Sequence, residues 1–387
     1  MIKLVVTPFI EKKIKEGIQL LDANDFEDLS IDNQLVEIFS KTQQFLGVAY
    51  LSKQNKGIGW FLSHQKLTLD ENYFKALLEK AKKERDYYFQ SDLTTAFRVF
   101  NQDGDDFGGL TIDLYGDYAV FSWYNQFVYQ LKEVIISAFK VIFPEIKGAY
   151  EKIRFAGIDY QSAHLYGQEA PETFTILENG VNYQVFLNKG LMTGIFLDQH
   201  EVREALVSHF SSGKKILNLF SYTAAFSVAA SMGGALETTS VDLANRSKEM
   251  SAAHFKANHF ELTNHRFIVM DVFDFFKYAK RHHLSYDVII IDPPSFAKNK
   301  KKIFSVTKDY HQLINQSLDI LEDNGLIIAS TNAANLSLTQ FKKELEKGFG
   351  NQRHTYESLY QLPSDFKINK NDERSNYLKV FTIKVNK

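Results

Sequence analysis

The chain is expected to be an α/β protein whose C-terminal half forms a mostly parallel, doubly wound sheet, behind a small β-rich N-terminal domain and a central α+β domain. Three observations predict this. Between Lys215 and Asp292 short apolar runs alternate with helical stretches, and three of the runs end on an acid: Asp242, Asp271 and Asp292. The last is followed by Pro293 and Pro294, which donate no ladder hydrogen bonds, so the chain must leave the sheet there. Before residue 190 the text is instead one of short alternating runs punctuated by glycine, the mark of hairpins and meanders.

The length of 387 residues exceeds one compact domain. With 44% hydrophobic residues, 33 Phe and 19 Tyr, there is material for large cores, and most of these rings must be core. The net charge of -2 gives no global electrostatic case for nucleic acid, so any such binding must come from local patches. The absence of Cys excludes disulfides, thiolate metal sites and a thiol nucleophile. The start MIKLVVTPFIEKKIKEG meets charge too soon for a secretory signal, and no apolar run approaches the roughly 18 residues of a membrane helix. A cytoplasmic, soluble protein is expected.

Residues 1–69 read as short strands, Lys3 to Val6, Gln44 to Leu51 and Gly57 to Leu62. With eight Lys, no Arg and eight acids, this segment is neutral: if it binds RNA, it does so weakly or by shape, and the ordinary reading is a packing or dimerisation module. Residues 70–175 open with Glu71 to Phe89, where Phe74, Leu77, Leu78 and Ala81 make an amphipathic helix. Phe97 to Tyr124 reads as an antiparallel meander around Gly104, Gly108 and Gly109. Its acids Asp103, Asp105 and Asp106 lack the glutamate that closes a calcium loop, so turn chemistry explains them better. Gln126 to Ile142 is expected to be helical and Gly148 to Arg154 a strand.

Residues 176–387 hold the sheet. A hairpin is expected over Phe174 to Leu187, turning at Asn179-Gly180, and a helix from Asp198. Lys215 to Phe220 is the first buried strand; Thr238 to Val241 ends on Asp242, twenty residues beyond Tyr222. Nucleotide-binding α/β folds place the acid that accepts ribose hydroxyls at this interval, and open sheets bind ligands at the carboxyl ends of their strands. Phe267 to Met270 and Val288 to Ile291 follow, then a helix over Asp309 to Gly325, a fifth strand over Leu326 to Ser330, a helix over Leu338 to Lys347, and strands at Tyr356 to Leu362 and Tyr377 to Val385.

GIFLDQH (194–200), NLFSYTAAFSVAA (218–230), SVD (240–242), MDVFDF (270–275) and DPPSFAKNK (292–300) together resemble the RlmI-like family of S-adenosylmethionine-dependent ribosomal RNA methyltransferases. The likeness is specific from about 190 to 331 and weak before residue 70. It implies a PUA-like domain, a central domain and a seven-stranded class I methyltransferase (Rossmann-like) sheet, with S-adenosyl-L-methionine as cofactor and ribosomal RNA as partner; a homodimer is left open.

That cofactor needs an acceptor for two ribose hydroxyls, a partner for the adenine amine, an apolar slot and a polar backbone cradle. Asp242 suits the ribose, since a carboxylate accepts both hydroxyls. Asp271, with the amide of Val272 beside it, is placed for the adenine amine. The strand end and turn carrying Asn218, Phe220, Tyr222 and Thr223 lie where the amino-acid end would meet a helix N-terminus. By resemblance, Phe196, Asp198 and Gln199 close the pocket from the preceding loop. Against the role of Asp242 stands the ordinary one of an Asp that caps a helix on any doubly wound sheet, which the joint spacing of Asp242, Asp271 and Asp292 at three successive strand ends disfavours.

Asp292, Pro293 and Phe296 form the expected catalytic group. The prolines stiffen the exit beneath the Asp292 carboxylate where a sulfonium methyl would point, and Phe296 is near enough to stack a flipped base. Lys298, Lys300, Lys301 and Lys302 overhang this mouth; they are either solvated surface or contacts to RNA phosphates.

Two departures from the family matter. Where its turn carries glycines, this chain has Ala224-Ala225, at a cost of about 1 kcal/mol if a left-handed conformation is still needed. Where members that methylate cytosine carbon 5 carry a Cys after the fifth strand, this chain reads ASTNAANLS (329–337). Ser330 or Thr331 is a poor replacement, because an unassisted hydroxyl is almost never ionised at neutral pH. The expected reaction is therefore direct transfer to an atom with its own lone pair; Asn332 and Asn335 allow comparison with guanine-modifying members of the superfamily. The alternative is an RNA-binding assembly factor that keeps the fold and the cofactor without catalysis. A small-molecule methyltransferase leaves the N-terminal domain and the lysine run unexplained.

Overall fold

The computed structural model describes residues 1–23, 26, 32–55, 57–298 and 303–387. They form two compact units: Met1–Phe174 with Phe186–Thr193 and Ser364–Ser375, and Thr175–Val185 with Gly194–Pro363 and Asn376–Lys387. Among the described residues no helix is long and apolar enough to cross a membrane.

The first unit holds two five-stranded sheets. One runs, edge to edge, Ile2–Val5, Gln34–Phe39, Phe45–Gln54, Gly57–Ser63 and Leu20–Leu21. Sequence reasoning missed the strand Gln34–Phe39 and the helix Pro8–Lys15. The helix had a readable signal: the Thr7 hydroxyl caps it, Pro8 opens it, and Ile10 and Ile14 share one buried face. Gly47, at φ 152°, lets two strands approach, since a Cβ there would lie 2.1 Å from the Ser63 carbonyl oxygen.

The other sheet runs Ser162–Gly167, Gly148–Ile153, Tyr118–Trp123, Leu110–Tyr115 and Ala96–Asn101. The last three are the expected meander, and the Tyr118–Trp123 strand then pairs parallel with Gly148–Ile153. Helices Glu71–Glu84 and Lys132–Ile142 pack on it through a core that includes Phe74, Phe100, Phe121, Trp123 and Phe139. Tyr50 and Trp60 of the N-terminal sheet belong to the same core.

The acids of the 103–106 turn are used structurally. Asp105 is buried and takes two bonds from the Arg85 guanidinium, at 2.6 and 2.7 Å, and one from the Asn101 amide at 2.6 Å. Arg85 also donates to the Asp365 carbonyl, at 3.1 and 2.8 Å, and to the Ala81 carbonyl at 3.4 Å.

The second unit is built on a seven-stranded sheet in the order His265–Val269, Glu237–Asp242, Lys215–Leu219, Tyr286–Ile291, Leu321–Thr331, Lys379–Val385, His354–Tyr360. The first five are mutually parallel and only Lys379–Val385 runs against its neighbours. The central strands read as near-continuous apolar runs because both faces are covered: Ile216, Leu217, Ile289, Ile290, Ile327 and Ile328 are fully buried. The hairpin Phe174–Glu178/Val181–Val185 turns at Asn179 and Gly180, both at positive φ, as expected.

One expected helix is shorter than the sequence suggested. It runs Val306–Leu318, and the chain is already a strand at Leu321. Ile320 and Leu321 are buried, Leu321 pairs with Tyr286, and Leu326 with Val288. Asn324-Gly325, read as a helix stop, instead shapes an exposed excursion inside the strand, with Asn324 at φ 56°. A hairpin of Phe296–Lys298 and Ile303–Ser305 projects between the fourth strand and this helix.

Replacing Asp105 by Ala leaves the Arg85 charge buried without its partner. The expected loss is about 3–5 kcal/mol of stability, measured as a lowered denaturation midpoint, while substitution of exposed Asp117 leaves the midpoint within error.

Candidate functional site

The carboxyl ends of the parallel strands surround a cavity of about 420 Å³, within the roughly 300–1,000 Å³ range of small-molecule sites. Each strand contributes its exit. The first supplies the Phe220–Thr223 turn, the second Asp242 and Leu243, the third Met270 to Phe273, and the fourth Asp292 to Pro294. Ile195, Phe196, Asp198 and Gln199 wall it from the preceding loop, and Phe304 and Asn332 complete it.

The turn after the first strand is a backbone cradle under strain. Phe220, Tyr222 and Ala224 all have positive φ, at 57°, 48° and 61°, where a side chain costs about 1–2 kcal/mol per residue. The left-handed conformation that favours glycine is therefore retained at Ala224. It is held by neighbours: the Ser221 amide donates to the Val241 carbonyl at 3.0 Å, the Tyr222 amide to Asp242 Oδ2 at 2.9 Å, and the Thr223 hydroxyl to the Gly194 carbonyl at 2.7 Å. Helix Ala225–Met232 starts immediately after.

The three strand-end acids reach one cavity but have different local partners. Asp242 receives the Tyr222 amide on one oxygen and the Ala244 amide on the other, at 2.8 Å. Asp271 caps helix Val272–Arg281, accepting from the amides of Phe273 and Asp274. Asp292 is half-buried; its Oδ2 accepts from Gln199 Nε2 at 2.8 Å, and Gln199 Oε1 accepts from the buried Ser330 hydroxyl at 3.1 Å. Burial pushes the Asp292 carboxyl up to about 6, with the Asp198 charge adding to the rise and Ser330 and Gln199 opposing it. Asp198 itself accepts from the Tyr377 hydroxyl at 3.0 Å.

Among the described residues the lining thus carries four carboxylates, Asp198, Asp242, Asp271 and Asp292, and one guanidinium, Arg203. Arg203 is buried in an ion pair with Glu178 at 2.5 and 2.7 Å and donates also to the Phe196 carbonyl at 2.7 Å. Its charge is spent on holding the loop wall, so the cavity suits a ligand that is cationic and rich in hydroxyls. The slot beside Asp271 is apolar, with Phe220, Met270, Val272, Phe273 and Phe304.

Not every candidate from the sequence joins the cavity. Asn218 is buried in its strand, donates to the Ser227 hydroxyl at 3.0 Å and does not line the site. Phe296 is 60% exposed on the hairpin, outside the lining. Lys298 lies on the same strand, and Lys300, Lys301 and Lys302 lie outside the described residues. Conversely, the sequence did not show Arg203 with Glu178, the Ser330 contact to Gln199, or Phe304. The first two depend on contacts far apart in the chain, and Phe304 looked like one more core ring.

A family model described as an S-adenosylmethionine-dependent methyltransferase matches residues 154–366, and one described as a PUA-like domain matches residues 4–64. Among curated proteins, "Putative ribosomal RNA large subunit methyltransferase YwbD" of Bacillus subtilis (strain 168) is 42% identical over 95% of this chain and 96% of its own length. Ribosomal RNA large subunit methyltransferase I of Aeromonas salmonicida (strain A449) is 29% identical over 85% of this chain and 83% of its own. Among solved structures, SMU.776 in complex with SAH is 63% identical and superposes with a TM-score of 0.97, covering all of both chains. With the strand order, the acid-lined cavity at its carboxyl edge and these relatives in agreement, the chain belongs to the RlmI-like family of S-adenosylmethionine-dependent methyltransferases.

Proposed function

We propose that this protein methylates a base of large-subunit ribosomal RNA by direct transfer, with no covalent enzyme–base intermediate. The observation that carries the reading is the chemistry at the end of the fifth strand. The chain has no Cys; the Ser330 hydroxyl is buried and committed to Gln199, and Thr331 is buried with its hydroxyl accepting from the Ala333 amide. The Ser330 hydroxyl lies beside the Asp292 carboxylate as well as Gln199, but a carboxylate is far too weak a base to raise an alkoxide that would add to a cytosine ring as a thiolate does. The curated relatives' names supply the ribosomal RNA.

In this reading Asp242 accepts the ribose hydroxyls, the slot of Phe220, Met270, Phe273 and Phe304 takes the adenine with Asp271 and the Val272 amide at its edge, and the 220–225 turn cradles the amino-acid end. Phe196, Asp198 and Gln199 close the site, and the anionic lining favours the charged cofactor over its neutral thioether product. When bound, S-adenosylmethionine supplies an electrophilic methyl group on a sulfonium. Asp292 is held by Gln199 with a carboxylate at the cavity, where it accepts a hydrogen bond from a ring or exocyclic N–H of the target and takes the proton displaced by methylation. Pro293 and Pro294 prevent that carboxylate from moving with the loop, so the target is positioned by a stiff strand exit. Phe296 stacks the extruded base and Lys298, Lys300, Lys301 and Lys302 meet phosphates. In domain terms, residues 176–387 do the chemistry, while 1–69 and 70–175 engage the RNA.

The deciding comparison is nucleoside mass spectrometry of large-subunit RNA from strains with and without the gene. Loss of one methylated base other than 5-methylcytosine is expected; an unchanged spectrum would identify a non-catalytic assembly factor. Asp292→Asn is expected to lower the transfer rate at pH 8 about 100-fold or more, and the wild-type rate should fall as pH drops through about 6. The same variant carries an opposite stability signature. The Asp292 carboxyl is raised from 3.8 to about 6, so ionising it costs the folded state up to about 3 kcal/mol. The Asp292→Asn substitution therefore raises the melting temperature above pH 6, and this advantage disappears below pH 4.

A further inference from the structure

The hairpin of Phe296–Lys298 and Ile303–Ser305 presents its two aromatic residues differently. Phe304 is 5% exposed, lines the cavity, and sits 6.3 Å from the Phe220 ring and 6.1 Å from the Phe273 ring. Phe296 is 60% exposed. The register explains this: Phe304 pairs with Ala297 and Ser305 with Phe296, and successive residues of a strand face opposite sides. One face of the hairpin is therefore a wall of the cofactor slot, and the other carries the ring placed for RNA.

The described ladder has three residue pairs, and a lone two-stranded hairpin is marginally stable in water. Its attachments at the root are the Val306 amide to the Ser295 carbonyl, the Ser305 amide to Asp309, and the Ser295 hydroxyl to Asn332. Beyond the root, its buried anchor among the described side chains is Phe304. On one side Phe304 meets Phe220 and Phe273; on the other it borders the cavity, so an adenine in the slot gives the ring a second packing surface.

We infer that Phe304 is a cofactor-contacting residue through which the bound cofactor orders the hairpin carrying Phe296, so that cofactor and RNA bind with positive coupling. Ordering done by the first ligand need not be repeated for the second, and the coupling is the same whichever binds first. The inference rests on the proposed placement of adenine in this slot.

Hydrogen exchange of the full-length protein, with and without saturating S-adenosylhomocysteine, tests it. In the wild type, exchange of the amides in 296–298 and 303–305 is expected to slow about tenfold or more with ligand. Phe304→Ala and Phe304→Leu should still bind the ligand by calorimetry, about tenfold more weakly for Ala, yet show no ligand-induced slowing there. The Leu variant keeps the apolar volume and guards against misfolding of the Ala variant. With large-subunit RNA from the deletion strain as probe, S-adenosylhomocysteine should tighten binding about tenfold for the wild type and leave both variants unchanged. Full slowing in either variant, or none in the ligand-saturated wild type, overturns the inference. Failure of the wild type to bind S-adenosylhomocysteine at all would instead overturn the reading of the cavity.

Discussion

A carboxylate that must leave the sheet at a fixed point governs the site. Asp292 ends the fourth strand because the next two residues are prolines, and its side chain stands half-buried at the cavity, hydrogen-bonded by the neutral Gln199 and Ser330 and with the Asp198 carboxylate near enough to raise its pKa. No cation pairs with it directly among the described contacts; Arg203 is engaged by Glu178. An ionised carboxylate under those conditions is costly for the fold, a cost that a cation or an N–H donor at the cavity would relieve.

The surroundings are built to keep that group in place. Arg203 and Glu178 form a buried pair whose spare donor holds the Phe196 carbonyl and so fixes the loop that presents Gln199. Such pairs add little net stability but are expensive to break singly, so the loop's position is defined more strongly than its hydrophobic burial alone would ensure. The 220–224 turn shows a similar exchange. Three side-chain-bearing residues accept left-handed backbone within five positions, each at a cost, because amide and hydroxyl donors aimed at Val241, Asp242 and Gly194 require that path.

Much of this was legible in the sequence where the signal was local. The strand endings at Asp242, Asp271 and Asp292, the Asn179-Gly180 turn and the forced exit at Pro293 follow from residue types at short spacing. The cost of alanine in the first turn was also foreseeable, and Ala224 does adopt the left-handed conformation. Roles that depend on partners far along the chain were not legible. Asn218 turned inward to Ser227, and the excursion at Asn324-Gly325 mimicked a helix stop, whereas the cap that Asp271 places on the amides of Phe273 and Asp274 is local. Phe304 and Phe296 differ in environment only because of hairpin register, which neither residue announces.

The most direct test of this account is the titration of the Asp292 side chain itself, followed by carboxyl-carbon nuclear magnetic resonance with Asp292→Asn to assign the signal. The free protein should titrate near 6, and saturating S-adenosylmethionine, with its positive charge beside the carboxylate, should lower that value by more than neutral S-adenosylhomocysteine does. A carboxyl that already titrates below 4 in the free protein, or that responds equally to the two ligands, would contradict it.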